Sequence, residues 1–240
     1  TTATSGVNSA RNGFIAIELN GKMLLDNGVT PVDNFPSIAS TVRANQTAGF
    51  SIIGFTAPSS ATSSYSVGHA LNATPTFWIW KSRSAAGGWQ VYSTALGATN
   101  NRLALNSTDS AYSAYPGSAT SSIINLSDGP TAAWGGTNII YAFTPVKNYS
   151  AMGTYIGNGS SSGPFVHTGF KPAFLLTKRT NSTSAWVIVD NKRDGYNETY
   201  NWLEPNTSTV EQSITPVANV DFLSNGFKFR GNGATTNASG

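Results

Sequence analysis

Apolar positions along the chain fall in short runs separated by polar, Gly-containing turns, the pattern of strands rather than of amphipathic helices. Phe14-Ile15-Ala16-Ile17-Glu18-Leu19 is β-prone, Asn20-Gly21 is a strong two-residue hairpin signal, and Lys22-Met23-Leu24-Leu25 returns. Asp26-Asn27-Gly28 closes that strand. Residues 30–46 carry Pro31 and Pro36 and read as a linker. An isolated hairpin is marginal in water, so this one is expected to complete a sheet supplied by residues before Thr1 or by a partner. Further strands are predicted at Ser121–Leu126, Asn138–Phe143 and Asp221–Arg230. Helix signals are weak, with one short turn expected at Thr207–Gln212. The run Phe77-Trp78-Ile79-Trp80 is apolar on both faces, as in a central strand.

The same pattern occurs twice. His69 to Lys81, followed by Trp89-Gln90-Val91-Tyr92, parallels His167 to Lys178, followed by Trp186-Val187-Ile188-Val189. Pro, Phe, Lys and Trp recur at an offset of 97 (75 to 172, 77 to 174, 81 to 178, 89 to 186), and the two histidines at 98. Upstream, Gly49–Phe55 parallels Gly153–Gly157. Fixed spacing over several positions marks an internal repeat. The chain therefore divides into an N-terminal hairpin and connector (1–47), a first β-sandwich copy (48–148) and a second (149–240). Pro at the first position of a strand sacrifices no ladder hydrogen bond. The expected fold is all-β, with two tandem sandwich or jelly-roll-like modules.

Composition narrows the function classes. Charged residues are only 10% of the 240, whereas Ser, Thr and Asn together fill 81 positions. The surface is thus solvated by hydroxyls and amides. Six Trp, nine Tyr and twelve Phe argue against disorder. Cysteine is absent, which removes disulfides, thiolate metal sites and cysteine nucleophiles, and favours a viral, bacterial or cytosolically folded protein. The net charge of +3 reflects scarce acids; the 14 Lys and Arg are scattered, so no nucleic-acid surface is expected. No apolar run is long enough to span a bilayer, and no signal peptide opens the sequence. The chain reads as a fragment of something longer.

Candidate chemistry is sparse. The two histidines, His69 and His167, sit at matching positions before strand-starting prolines and read as turn residues bonding backbone. The one dense acidic stretch runs from Asp190 through Asp194 to Glu198. It reads as a solvated loop, with glycan or calcium contact through Asp190 and Asp194 as the functional alternative; its spacing is not that of a calcium loop. Loop aromatics Tyr112, Tyr115, Tyr196, Tyr200 and Trp202 could stack on sugar rings or anchor a subunit contact. Ten Asn-x-Ser/Thr sequons are scattered along the chain. No catalytic residue, metal site or cofactor site is predicted.

Gly49-Phe50-Ser51-Ile52-Ile53, Gly68-His69-Ala70-Leu71, Trp89-Gln90-Val91-Tyr92 and Leu96-Gly97 resemble a domain recurring in structural proteins of tailed phages, many of them marine. Gly163-Pro164-Phe165-Val166, Gly169–Phe174, Asp221–Lys228 and Asn237-Ala238-Ser239-Gly240 carry the resemblance through the second half. Residues 16–22 and 36–45 look like the same proteins' connector. The resemblance implies a virion component: a tail, fibre or capsid-surface protein, often following a concanavalin-like lectin or SPRY-like sandwich and continuing into one more strand. It implies no catalytic residues. Other copies of the chain and other virion proteins are the expected partners, with host-surface glycan as a further contact, and neither nucleic acid nor membrane. The alternatives are a carbohydrate-binding module of a secreted glycosidase or a bacterial surface adhesin, placing the chain outside the cell, and, more distantly, a glycosidase.

Overall fold

The structure is a computed structural model. It describes residues 35–59, 64–99, 101–114, 117–127, 134–213 and 218–239, and the backbone of four strands within residues 4–23. Two compact units are present, Thr1–Phe35 and Pro36–Gly240.

In the first unit, β1 (Thr4–Asn8) runs antiparallel to β2 (Arg11–Ala16), and β3 (Glu18–Leu19) to β4 (Lys22–Met23). Leu19 faces Lys22, as expected of strands flanking Asn20-Gly21. The hairpin is shorter than the apolar run suggested. Phe14 pairs with Ser5 instead of with the returning strand, so β2 finds its partner within the chain.

Among its described residues the second unit is nearly all β, in antiparallel sheets with no closed barrel. Its first copy contains β5 (Ser40–Asn45), β6 (Phe50–Thr56), β7 (Tyr65–Gly68), β8 (Phe77–Ser82), β9 (Gln90–Ser93), β10 (Asn101–Ala104), β11 (Tyr112–Ser113), β12 (Gly117–Ala119), β13 (Ile123–Leu126) and β14 (Thr137–Phe143). A seven-stranded sheet has the order β11-β10-β9-β8-β14-β6-β5, and a three-stranded sheet the order β12-β13-β7. Residues 30–46 are therefore not all linker: Ser40–Asn45 pairs with Phe50–Phe55 of β6.

One core joins these sheets. Ile53, Phe55, Trp78, Trp80, Ile140 and Ala142 of the large sheet meet Tyr65, Val67, Ile124 and Leu126 of the small one. The strand β8 is central, between β9 and β14, and its alternation divides its aromatics. Trp78 and Trp80 enter this core, while Phe77 and Ile79 face the opposite side of the sheet.

The second copy contains β15 (Phe165–His167), β16 (Phe174–Lys178), β17 (Trp186–Asp190), β18 (Val220–Leu223), β19 (Gly226–Phe229) and a one-turn helix α1 (Ala234–Asn237). The predicted strand Asp221–Arg230 is a hairpin turning at Ser224-Asn225, and Thr207–Gln212 is not helical. The hairpin β8–β9 recurs residue for residue as β16–β17. Phe77 faces Ser93 and Phe174 faces Asp190; Trp78 faces Tyr92 and Leu175 faces Val189; every such pair is offset by 97. The pair Arg102–Tyr112 recurs as Trp202–Gln212 at an offset of 100. The sheet order β12-β13-β7 recurs as β18-β19-β15.

This register corrects one expectation. Val67 faces Ile124, and Val166 faces Phe227, so Gly68 corresponds to His167. The counterpart of His69 is Thr168: the His69 N–H donates to Ser122 O, and the Thr168 N–H to Asn225 O. The two histidines are not equivalent. His69 is fully buried, and His167 is exposed.

Candidate functional site

The second-copy core holds Val187, Val189, Trp202, Ala218, Val220, Phe222, Phe227 and Phe229. Above it, β17 ends at Asp190 and the chain enters the polar stretch singled out in the sequence. Asp190 Oδ1 accepts the N–H groups of Lys192 (2.9 Å) and Arg193 (3.1 Å), which turns the chain. Its Oδ2 lies 3.0 Å from Arg193 Nη2, and Arg193 Nε reaches Glu211 at 3.4 Å. Burial opposes ionisation of Asp190. The two backbone amides and the Arg193 guanidinium outweigh it and hold the carboxyl below its ordinary value.

Asp194 closes the loop. Its Oδ2 accepts the N–H groups of Tyr200 (2.9 Å) and Asn201 (3.0 Å), and Oδ1 accepts Asn201 Nδ2. Between these anchors, Gly195 turns at φ +77°, a backbone region that disfavours side chains. The Asn197 amide imitates a strand neighbour: Oδ1 accepts the Phe222 N–H (2.9 Å) and Nδ2 donates to Phe222 O (3.0 Å). Glu198 accepts from Asn219 Nδ2 at 2.6 Å, and Thr199 bridges Val220. The loop is thereby fixed at both ends and at its centre. Two aromatics stand exposed on it, Tyr196 at 73% and Tyr200 at 37%, beside the exposed Lys192, Asn197 and Glu198.

The remaining candidates divide. Trp202 is a core residue, 6% exposed, and this corrects its reading as a loop contact. Its backbone bridges Gln212, and its side chain packs in the second-copy core. Tyr112 is half-buried in edge strand β11. Its hydroxyl donates to Gln90 Oε1 (2.9 Å), and the Arg102 guanidinium lies 5.2 Å from its ring centre. Tyr115 lies outside the described residues. Asp190, Asp194, Tyr196 and Tyr200 are the candidates the fold brings to one loop. Among the described residues no group of three His, Asp or Glu could hold a metal ion.

Sequence reasoning missed the junction between the copies. Trp186 is 3% exposed and packs with Val91 and Leu103 of the first copy. Its Nε1 donates to Ala104 O at 2.9 Å. Loops flank it: the Ala111 N–H donates to Thr180 O and the Ser184 N–H to Thr108 O, each at 2.8 Å. Nearby, burial brings Lys178 down to about 8, against the favourable pull of Asp109. Also missed were Asn106 and Asn206, seen only as sequons. Their Oδ1 atoms accept the N–H groups of Trp89 (2.7 Å) and Trp186 (2.8 Å), respectively. Their spacing of 100, the same as that of the strand pairs around them, was the available signal.

No curated protein and no solved structure matches this chain. A family model does, over residues 3–240, and through it the chain belongs to the family described as Domain of unknown function (DUF7483).

Proposed function

We propose that this chain is a non-enzymatic structural component of a tailed-phage particle, in its tail, fibre or capsid surface, and that the Tyr196–Tyr200 loop is a face it presents to host-surface glycan. The observation that carries the binding face is the clamped loop itself. Asp194 and Asn197 hold the backbone with their side chains, Glu198 holds the Asn219 side-chain amide, and the ring of Tyr196 is left exposed. A rigid aromatic face suits a sugar ring, which gains dispersion contact with little conformational entropy lost. Engagement of the loop carboxylates with amides and Arg193 supports a contact role over a hydrolytic one. The family resemblance in both halves of the sequence supports the virion assignment.

The second reading is a carbohydrate-binding module detached from any particle, and the same exposed Tyr196 favours it. Antibody raised against residues 36–240 and imaged on purified particles by electron microscopy separates the two. Labelling at regular particle positions is expected. Its absence from particles, together with Tyr196-dependent retention on a glycan array, would establish the detached module instead.

A further inference from the structure

The two copies fill one part of their cores in opposite ways. In the first, the large sheet supplies two stacked rings, Trp78 and Tyr92, with centroids 5.2 Å apart. The small sheet supplies Gly117 and Ala119 of β12, which pair with Leu126 and Ile124 of β13. In the second copy the rings are replaced by Leu175 and Val189. Val220 and Phe222, paired with Phe229 and Phe227, stand where Gly117 and Ala119 do, and both are buried in their core. With small residues on β12, a cavity of about 190 Å³ remains in the first copy, between β12 and the turn that follows β9.

The cavity has an aromatic floor and braced walls. Trp78 and Tyr92, each 2% exposed, form the floor. The β12 backbone approaches so closely that a methyl group on Gly117 would lie 2.8 Å from Tyr92 Cε1 and 3.4 Å from Trp78 Cζ2. Cζ2 and Nε1 share one edge of the indole, so the Trp78 N–H is on the edge beside Gly117. That N–H meets no hydrogen-bond acceptor among the described residues, whereas Trp80 donates to Asn138 Oδ1 at 3.0 Å and Trp186 to Ala104 O at 2.9 Å. A buried indole N–H ordinarily has a partner. On the opposite wall, the Gly117 N–H donates to Thr99 O (2.9 Å), Asn101 Nδ2 to Leu96 O (3.1 Å) and the Ala95 N–H to Ser93 Oγ (3.2 Å), which fixes the turn. Thr94, Thr99 and Ser118 are its exposed lining residues.

We propose that this cavity binds one neutral pyranose unit, with the sugar's C–H groups against the Trp78 and Tyr92 rings and one of its oxygens accepting the Trp78 indole N–H. Size, charge and polarity each select this occupant. About 150 Å³ suffices for a benzene ring, so the volume admits a single six-membered ring with substituents. None of the described lining residues is charged, so an ionic ligand would find no counter-charge among them. A purely apolar ligand would leave the indole donor unsatisfied. A pyranose offers both an apolar C–H surface and neutral acceptors, and the hydroxyls of Thr94, Thr99 and Ser118 suit the sugar hydroxyls that face outward. The site is distinct from the Tyr196 loop, and the inference does not rest on the reading of that loop.

The test is heteronuclear NMR of the isotope-labelled full chain, titrated in turn with the methyl glycosides of glucose, galactose, mannose and N-acetylglucosamine. Trp78→Phe identifies the Trp78 indole signal among those of the six tryptophans. With at least one glycoside, saturable shifts are expected in that indole signal and in the amides of residues 94–99 and 117–119, with a dissociation constant on the order of 1 mM, as suits a single small ring. Trp78→Phe keeps an aromatic floor without the donor and should weaken binding roughly tenfold, read from the amides of residues 94–99. Ala119→Phe introduces the second copy's side chain and should abolish binding, with the Trp186 indole signal unmoved as the check on folding. Tyr196→Ala should bind as the native chain does. Cyclohexanol, a ring of the same size without the sugar's other oxygens, should bind more weakly. Absence of saturable shifts with all four glycosides, equal binding of cyclohexanol, undiminished binding in Trp78→Phe, or shifts confined to the Tyr196 loop would overturn the proposal.

Discussion

The indole of Trp186 donates to the carbonyl of Ala104 across 2.9 Å, joining the first residue of β17 in one copy to the last residue of β10 in the other. The ring is buried against Val91 and Leu103, on the face of the large sheet opposite the first-copy core. Trp89, its counterpart by sequence, is only half-buried, with the Lys81 ammonium 6.0 Å from its ring. Two tryptophans at one repeat position thus do different work. Trp186→Phe keeps most of the apolar contact and should cost about 1 kcal/mol through the lost hydrogen bond. Trp186→Ala should cost about 3–5 kcal/mol, as for other large-to-small core changes. Trp89→Ala should cost clearly less. Urea unfolding of the three variants checks this order, and equal losses at 89 and 186 would argue against a junction at Trp186.

His69 should make stability pH-dependent. Leu71 N–H donates to Nδ1 at 3.1 Å, so the ring proton sits on Nε2 and faces Thr120 O, also at 3.1 Å. Burial lowers its pKa below the ordinary 6.5, partly offset by the Thr120 bond. With the folded value depressed, the unfolded chain binds the proton first as pH falls. The stability is fully present above pH 6.5 and is lost progressively as pH falls toward the folded value, at no more than about 1.4 kcal/mol per pH unit. His167, by contrast, is exposed. Chemical denaturation between pH 7 and 5 should show this loss in the native chain and in His167→Ala. His69→Gln should be less stable at neutral pH and flatter across the window; a slope surviving in His69→Gln would assign it to another group.

The clamped loop predicts a proteolysis pattern. Asp194→Ala removes the acceptor of two backbone N–H groups and one side-chain amide, for about 1–3 kcal/mol, and should release residues 195–199. Trypsin should then cut after Lys192 and Arg193 much faster than in the native chain. Asp190→Asn keeps an oxygen for the turn and loses the Arg193 ion pair, so its cost should stay below about 1 kcal/mol. Because the Asp190 carboxyl is held below its ordinary value, its share of stability is present above that value and disappears as pH falls through the folded one. Native-like cleavage rates in Asp194→Ala would show that the loop is held by other groups.

What the sequence disclosed, and what it hid, has a physical pattern. Local signals held: the apolar run 77–80 marks a strand covered on both faces, and the 97-residue offset survives as strand register. Features depending on distant partners did not. Trp202 reads as a loop aromatic because Asn201 and Glu204 surround it, yet a core built from Val220, Phe222 and Phe229 covers it. The histidine match was a coincidence of one residue, visible only once β13 and β19 fixed the registers of β7 and β15. Asn225-Gly226 was a readable hairpin signal inside the run taken for one strand.

Asn106 and Asn206 each offer Oδ1 to the backbone N–H of the tryptophan that follows a hairpin loop, Trp89 and Trp186. Each side chain thus caps a main-chain donor at the start of a return strand, Trp89 just before β9 and Trp186 at the first residue of β17. The bond at Trp89 is exposed, and water can replace it; Asn106→Ala should cost about 0.5–1 kcal/mol. At Trp186 the donor is partly enclosed by the junction, so Asn206→Ala should cost more, about 1–3 kcal/mol. Asn106→Asp keeps the acceptor and should restore near-native stability. Thermal melts of the three variants decide the matter. If Asn206→Ala melts with the native chain, the cap is not a shared device of the two copies, and the 100-residue correspondence reduces to a coincidence of composition.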